Sequence, residues 1–124
     1  MIPLTMFERC GGFRTVRQIV DRFFDKAIDS RVVSPYFVHT NWWVMNRLVN
    51  HQTKFIASLM GGPNGYSNDQ IGHYYSKKRI PEPAFLAALG LLAEILEEFG
   101  FEKDDAQTIL GEVMNRKGLI VAMG

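Results

Sequence analysis

The chain contains three histidines, His39, His51 and His73, and the stretch "IGHYYSKKRIPEPAF" at 71–85 sets the last of them directly before two tyrosines. Neutral imidazole is the commonest metal ligand among side chains, so the question is which of these groups, if any, is a ligand. No two of the histidines stand at the i, i+4 spacing of paired ligands on one helix face, which argues against a zinc site. Cys10 is the single cysteine. It has no partner for an internal disulfide, belongs to no CxxC motif, and has no base set beside it for nucleophilic work. The six methionines are scattered and read as core fillers rather than metal ligands.

Candidate ligands need elements to aim them, and the periodicity is helical almost throughout. A short helix around Leu4 to Glu8 is followed by Gly11 and Gly12. From Phe13 to Ile28 the apolar residues Val16, Ile19, Val20, Phe23, Phe24 and Ala27 recur at spacings of three and four. "SPYF", with Pro35, reads as a tight corner. A helix from Trp42 to Met60, capped near Thr40 or Asn41, ends hard at "GGPNG", 61–65. Pro81 and Pro83 suit the first turn of another helix. That helix buries Phe85, Leu86, Leu89, Leu92, Ile95, Leu96 and Phe99, and Gly100 ends it. A last helix from near Asp104 buries Ala106, Ile109, Leu110, Val113 and Met114. Strand alternation is absent, so the chain reads as one all-α domain over 1–124.

Between Gly62 and Arg79 the pattern fails. Helix connections in a bundle usually take about 2–8 residues, and this polar segment is far longer. It reads as a loop with one or two helical turns. Such segments often wrap a ligand or cofactor; the plainer reading is a solvated surface loop.

Bulk composition narrows the function classes. With 124 residues the chain is long enough to bury a real core. A net charge of +1 argues against a nucleic-acid or membrane surface built on bulk charge. Trp42 and Trp43 would make a stacking platform in a nucleic-acid module, but no basic stripe is evident beside them; they read as one core residue and one exposed neighbour. "MIPLTMFERC" lacks the basic start and apolar run of a signal peptide. "AFLAALGLLA" is shorter than the roughly 20 residues a membrane span needs. Cysteine usage and the missing leader suggest a reducing, cytoplasmic setting.

From Leu4 to about Val121 the chain resembles the truncated, two-over-two helical haemoglobins of the group I type. The residues that carry the likeness are "FERCGG" at 7–12, "VDRFFDKAIDSRVVSPYF" at 20–37, "NHQTKFIASLMGGPNGY" at 50–66, and Ile80 and Phe85 at fixed distances beyond. The resemblance implies a globin-like two-over-two sandwich holding haem between the helix at 42–60 and the segment at 67–79. It implies a small gas ligand such as O2, NO or CO, with reversible oxygen binding, nitric oxide dioxygenation or gas sensing as the associated activities. Carried over residue by residue, it implies a pocket of Phe24, Leu48, His51, Gln52, Phe55, Ile71, Tyr75 and Phe85, with His51 a candidate distal iron ligand. Any enzyme activity would be at most a haem-dependent, dioxygenase-type side reaction.

The chain departs from the family pattern twice. The distal pair usually ends in tyrosine and here is Phe23-Phe24, so the hydroxyl that would donate to bound oxygen is missing. The proximal histidine falls at 75, counting either forward from Gly61–Tyr66 or back from Ile80 and Phe85, and residue 75 is tyrosine. His73 lies two residues early. Residues two apart on an α-helix point about 200° apart, so if Ile71 faces the pocket, Tyr75 shares its face and His73 does not. The proximal position therefore holds His73, through a slipped register that Gly72 would ease, or Tyr75, or neither of them as a ligand. Tyrosine ligates haem iron as phenolate. From a free pKa near 10 that needs a nearby cation, and Lys78 and Arg79 stand three and four residues on; their plainer reading is solvated. Gas or redox sensing is therefore favoured over oxygen storage. The competing reading is a globin domain that has lost haem and serves as a regulatory or interaction module, with a protein partner or a homodimer as its associates.

Overall fold

Thr5 starts the first helix by a reciprocal cap. Its Oγ1 accepts from the Glu8 backbone N–H at 3.1 Å, while the Glu8 carboxylate accepts from the Thr5 N–H at 3.1 Å. In this computed structural model, which describes residues 2–63 and 65–122, that helix is α1 (Met6–Cys10). Gly11 and Gly12 follow with φ of 113° and 73°, a left-handed corner that other residues rarely adopt. A Cβ on Gly11 would lie 2.5 Å from Thr15 Oγ1. The glycine pair thus turns the chain straight into α2 (Phe13–Ala27), which buries Val16, Ile19, Val20, Phe24 and Ala27 along one stripe.

The "SPYF" corner is one turn of helix, α3 (Ser34–Phe37). Asn41 Oδ1 accepts from the N–H groups of Trp43 and Val44, at 2.9 and 3.2 Å, and caps α4 (Trp42–Leu59). The stop after α4 is enforced by space. A Cβ on Gly62 would meet the Ala57 carbonyl oxygen at 2.8 Å and the Phe7 ring at 3.0 Å. Asn64 of "GGPNG" lies outside the described residues.

The segment 62–79 is more ordered than its sequence pattern suggests. It holds an eight-residue helix, α5 (Asn68–Tyr75), started by a second reciprocal cap between Ser67 and Gln70. Pro81 leads into α6 (Glu82–Glu98); α7 (Lys103–Asn115) and the short α8 (Lys117–Ile120) complete the chain. Helix α2 packs on α4 and α6, α6 on α7, and α7 on α4, giving two helix pairs laid across one another. Helix α5 leans on α8. The Ala122 N–H donates to the Ile80 carbonyl at 2.8 Å in an isolated bridge that holds the end of the α5 segment.

Three placements correct the sequence reading. Leu86 and Met114, assigned to the core, are 43% and 40% exposed. Each stands about 100° round its helix from a neighbour, Phe85 or Val113, that does face the core. Trp42 and Trp43 are both exposed, at 66% and 71%, and pack edge-to-face on each other rather than dividing between core and surface. Neither indole packs against the core.

Candidate functional site

The side chains that meet between α4 and α5 form one connected group. From α4 come His51, Gln52 and Phe55, all buried; from α5 come Tyr74 and Tyr75. Gln52 Nε2 donates to the Tyr75 hydroxyl oxygen at 2.7 Å. Tyr75 is 4% exposed while His73 is exposed, as the helical phase of α5 requires once Ile71 is buried. Burial pushes the Tyr75 phenol far above the usual tyrosine range; the Gln52 hydrogen bond opposes this only in part. The cations that could have favoured phenolate lie elsewhere: Lys78 Nζ sits 4.9 Å from the centre of the Tyr74 ring, and Arg79 is exposed. Tyr75 is therefore a neutral phenol here.

His51 has a different environment. Its ring stacks on Tyr74 at 3.4 Å and 7°, and its Nδ1 lies 2.6 Å from the Tyr66 hydroxyl. Its Nε2 is buried with no hydrogen-bond partner. Burial, helped by the positive charges of Lys78 and Lys54, pushes the imidazole pKa down to about 3, so the ring is neutral. An orphaned buried N–H is rarer than an under-used acceptor. We therefore assign the proton to Nδ1, which donates to the Tyr66 oxygen and leaves Nε2 a bare lone pair.

Beside this group lies an apolar cavity of about 60 Å³, whose wall includes Phe23, Gln52, Phe55, Tyr75, Phe85 and Leu89. One water-sized molecule needs about 10–15 Å³ of such space, so a few diatomic molecules fit, whereas organic-ligand pockets run to about 300–1,000 Å³. Of the sequence-assigned pocket residues, Gln52, Phe55, Tyr75 and Phe85 meet at this cavity. Phe24, Leu48 and Ile71 are buried in the core but are not on its wall. Phe23 takes the place expected of Phe24, because the phase of α2 turns the first ring of the pair toward the cavity. Tyr66 and Tyr74 were not singled out from sequence; the only signal was that both are aromatic residues flanking the ligand candidates. Arg47, His73, Lys77 and Lys78 line a second hollow of about 330 Å³ with Val44 and Tyr74.

The donor set fits a haem iron at one point. A ligating imidazole needs to be neutral, with one nitrogen free and the other pinned by a hydrogen bond, and His51 meets all three conditions. The α5 side offers only a protonated phenol and an exposed histidine. The facing side chains are also in direct contact. A macrocycle entering between α4 and α5 would have to part Gln52 from Tyr75 and His51 from Tyr74.

The Gln52–Tyr75 contact carries its own prediction. Tyr75→Phe strands the Gln52 amide in a buried site and should cost about 1–3 kcal/mol in chemical denaturation. His73→Ala, at an exposed position, should stay within about 0.5 kcal/mol. Equal losses in the two variants would mean that Tyr75 is not the buried member of the pair.

Known proteins identify the family and the fold. Residues 5–121 match the bacterial-like globin family. The group 1 truncated hemoglobin of Tetrahymena thermophila is 30% identical over 108 residues, covering 87% of this chain and 84% of that protein. The group 1 truncated hemoglobin of Mycolicibacterium paratuberculosis is 28% identical over 111 residues, covering 90% and 79%. Among solved structures, a ferric form of the Tetrahymena pyriformis truncated hemoglobin, a tyrosine-to-phenylalanine variant, superposes with a TM-score of 0.80 over 97% of this chain and 100% of that one, at 23% identity. The Synechococcus 2/2 hemoglobin with covalently attached heme gives a TM-score of 0.76 over 94% and 98%, at 22% identity. The two crossed helix pairs, the matched span and these relatives together make the chain a member of the bacterial-like globin family, of the group 1 truncated haemoglobin type.

Proposed function

We propose that this chain binds haem between α4 and α5, with His51 as iron ligand on the α4 side and Tyr75 at the proximal position, and that it binds or senses a diatomic gas or a redox state. The observation that carries the reading is the buried, unpartnered Nε2 of a neutral His51 whose Nδ1 is held by Tyr66. Family membership supplies the cofactor, since truncated haemoglobins typically bind haem and a gas ligand. Haem iron, when bound, supplies a coordination position for a gas such as O2, NO or CO. The chain's own residues orient and tune that position. His51 brings a fixed imidazole and Gln52 brings an amide that donates across the slot. Phe23, Phe55 and Phe85 keep water out. Phe24 contributes no hydroxyl to hold bound oxygen, and Tyr75, as a protonated phenol, contributes no strong proximal donor. Both features favour sensing over oxygen storage, with any dioxygenase turnover a side activity. The single free Cys10 suits a reducing, cytoplasmic compartment.

Haemin titration of the purified chain tests this reading. The wild type should develop a Soret band with the high-spin character of a single imidazole ligand, and His51→Ala should lose that signature. Tyr66→Phe, which removes the partner of Nδ1, should weaken haemin binding by about tenfold, and His73→Ala should change nothing. Identical haem spectra in wild type and His51→Ala would remove His51 from the iron. A second reading, a haem-free regulatory domain, is favoured by the direct Gln52–Tyr75 and His51–Tyr74 contacts. Its signature is a wild type that ignores haemin and a Tyr75→His variant that takes it up.

A further inference from the structure

The net charge of +1 conceals a strong separation along the chain. From residue 30 to 81 there are six cations, Arg31, Arg47, Lys54, Lys77, Lys78 and Arg79, against the single carboxylate Asp69. From residue 82 onward there are eight carboxylates against three cations. Helix α4 carries no acidic residue at all. Folding gathers four of these six cations. Trp43, Arg47, Asn50 and Lys54 follow at i, i+4, i+7 and i+11, within about 60° of arc on α4, and all four are exposed. Lys77 and Lys78 border the same hollow as Arg47.

The two charged regions differ in how they are satisfied. Many of the carboxylates are neutralised within the chain. Glu94 and Glu98 meet Lys26, Glu98 also meets Arg22, Asp105 meets Arg9, Glu82 meets Lys117 and Glu112 meets Arg116. Among the described residues, none of Arg47, Lys54, Lys77 and Lys78 pairs with a carboxylate. A second copy of the chain is a poor occupant for this face, because much of its acidic surface is already engaged. An external anionic surface is a better one.

The exposed indoles select which surface. Trp42 and Trp43 stand on the first turn of α4, one turn before Arg47, their rings packed edge-to-face at 4.9 Å. Paired with each other in this way, they do not form an open ladder of ring faces interleaved with cations, which a single strand of nucleic acid needs. Indole rings with adjacent Lys and Arg are the combination that settles at the headgroup level of an anionic bilayer. Among the described residues no helix is long and apolar enough to cross a membrane, so the attachment is to the surface. From the cations without a carboxylate partner and the exposed indole pair at the start of the same helix, we infer that α4 and the end of α5 dock this protein reversibly on an anionic lipid bilayer.

Trp42 and Trp43 are the chain's only tryptophans, so its intrinsic fluorescence reports on this face alone. The test is titration of the protein, with and without haemin, with vesicles of phosphatidylcholine and of phosphatidylcholine mixed with phosphatidylglycerol. Mixed vesicles should shift the emission to the blue, added salt should reverse the shift, and neutral vesicles should do little. In vesicle sedimentation, Arg47→Glu and Lys78→Glu should each weaken binding by about fivefold or more, the value of one cation at an anionic surface. Trp42→Ala/Trp43→Ala, at exposed positions that leave the fold intact, should weaken it further at high salt. No binding to mixed vesicles at low salt, or binding with unmoved emission, would overturn the proposal. So would tighter binding to a single-stranded oligonucleotide or to polyglutamate than to vesicles, which would reassign the face to nucleic acid or to an acidic protein.

Discussion

Phe55→Ala and Phe85→Ala should each lower the unfolding free energy by about 3–5 kcal/mol, the usual cost of removing a packed aromatic ring. In a chain of this size that is a fall of roughly 10–20 °C in Tm. Both rings are buried, at 2% and 3% exposure, and both wall the 60 Å³ cavity. They stand on α4 and α6, which reach each other mainly through α2 and α7. The helices are therefore held apart by other contacts and cannot close over the space a ring leaves. Phe55 also supports the site, with its ring 6.1 Å from His51 and 6.4 Å from Tyr75. Phe13, 44% exposed, should lose far less on truncation and serves as the control. Melting the variants with and without haemin separates two causes. If haem fills the neighbouring slot, part of the loss should be recovered on adding it. A loss under about 1 kcal/mol at both positions would mean that neither ring lines the core.

Acid should destabilise the haem-free protein through His51, over a window unusual for a histidine. In the unfolded chain the imidazole takes a proton near pH 6.5, whereas in the fold burial holds its pKa at about 3. Between those values the unfolded state binds the extra proton, so stability falls as the pH falls. The slope approaches about 1.4 kcal/mol per pH unit, and the accumulated loss by pH 3 is roughly 4–5 kcal/mol. Above pH 6.5 the group has no influence. His51→Gln, which keeps a polar side chain and removes the titration, should flatten the curve by that amount. The difference between wild type and variant isolates His51, because the carboxylates that also titrate in this range are common to both. Parallel stability curves from pH 7 to pH 4 would show that Nε2 is open to water rather than buried.

Helix identity was legible in local chemistry. The stripe on α2, the Asn41 cap of α4, the Gly11–Gly12 corner and the Pro81 start of α6 each depend on residues within a turn or two of one another, and such interactions are written in adjacent letters of the chain. So was the helical phase that sets Ile71 and Tyr75 on one face. Helix α5 was legible only as one or two helical turns without bounds, because its buried stripe is just those two residues and its interior contains Gly72. The rest was decided by tertiary structure. Gln52 finds Tyr75 across 23 residues, and His51 finds Tyr66 and Tyr74. Whether Phe23 or Phe24 meets the cavity depends on the rotation of α2 against α4 and α6. Whether the two tryptophans are covered depends on which other helices reach the first turn of α4. Whether His51 is neutral with a free nitrogen depends on desolvation by groups distant in sequence. A sequence states which donors, rings and charges exist and how they repeat along a helix. Which of them lose water together, and which are left without a partner, follows from packing between helices.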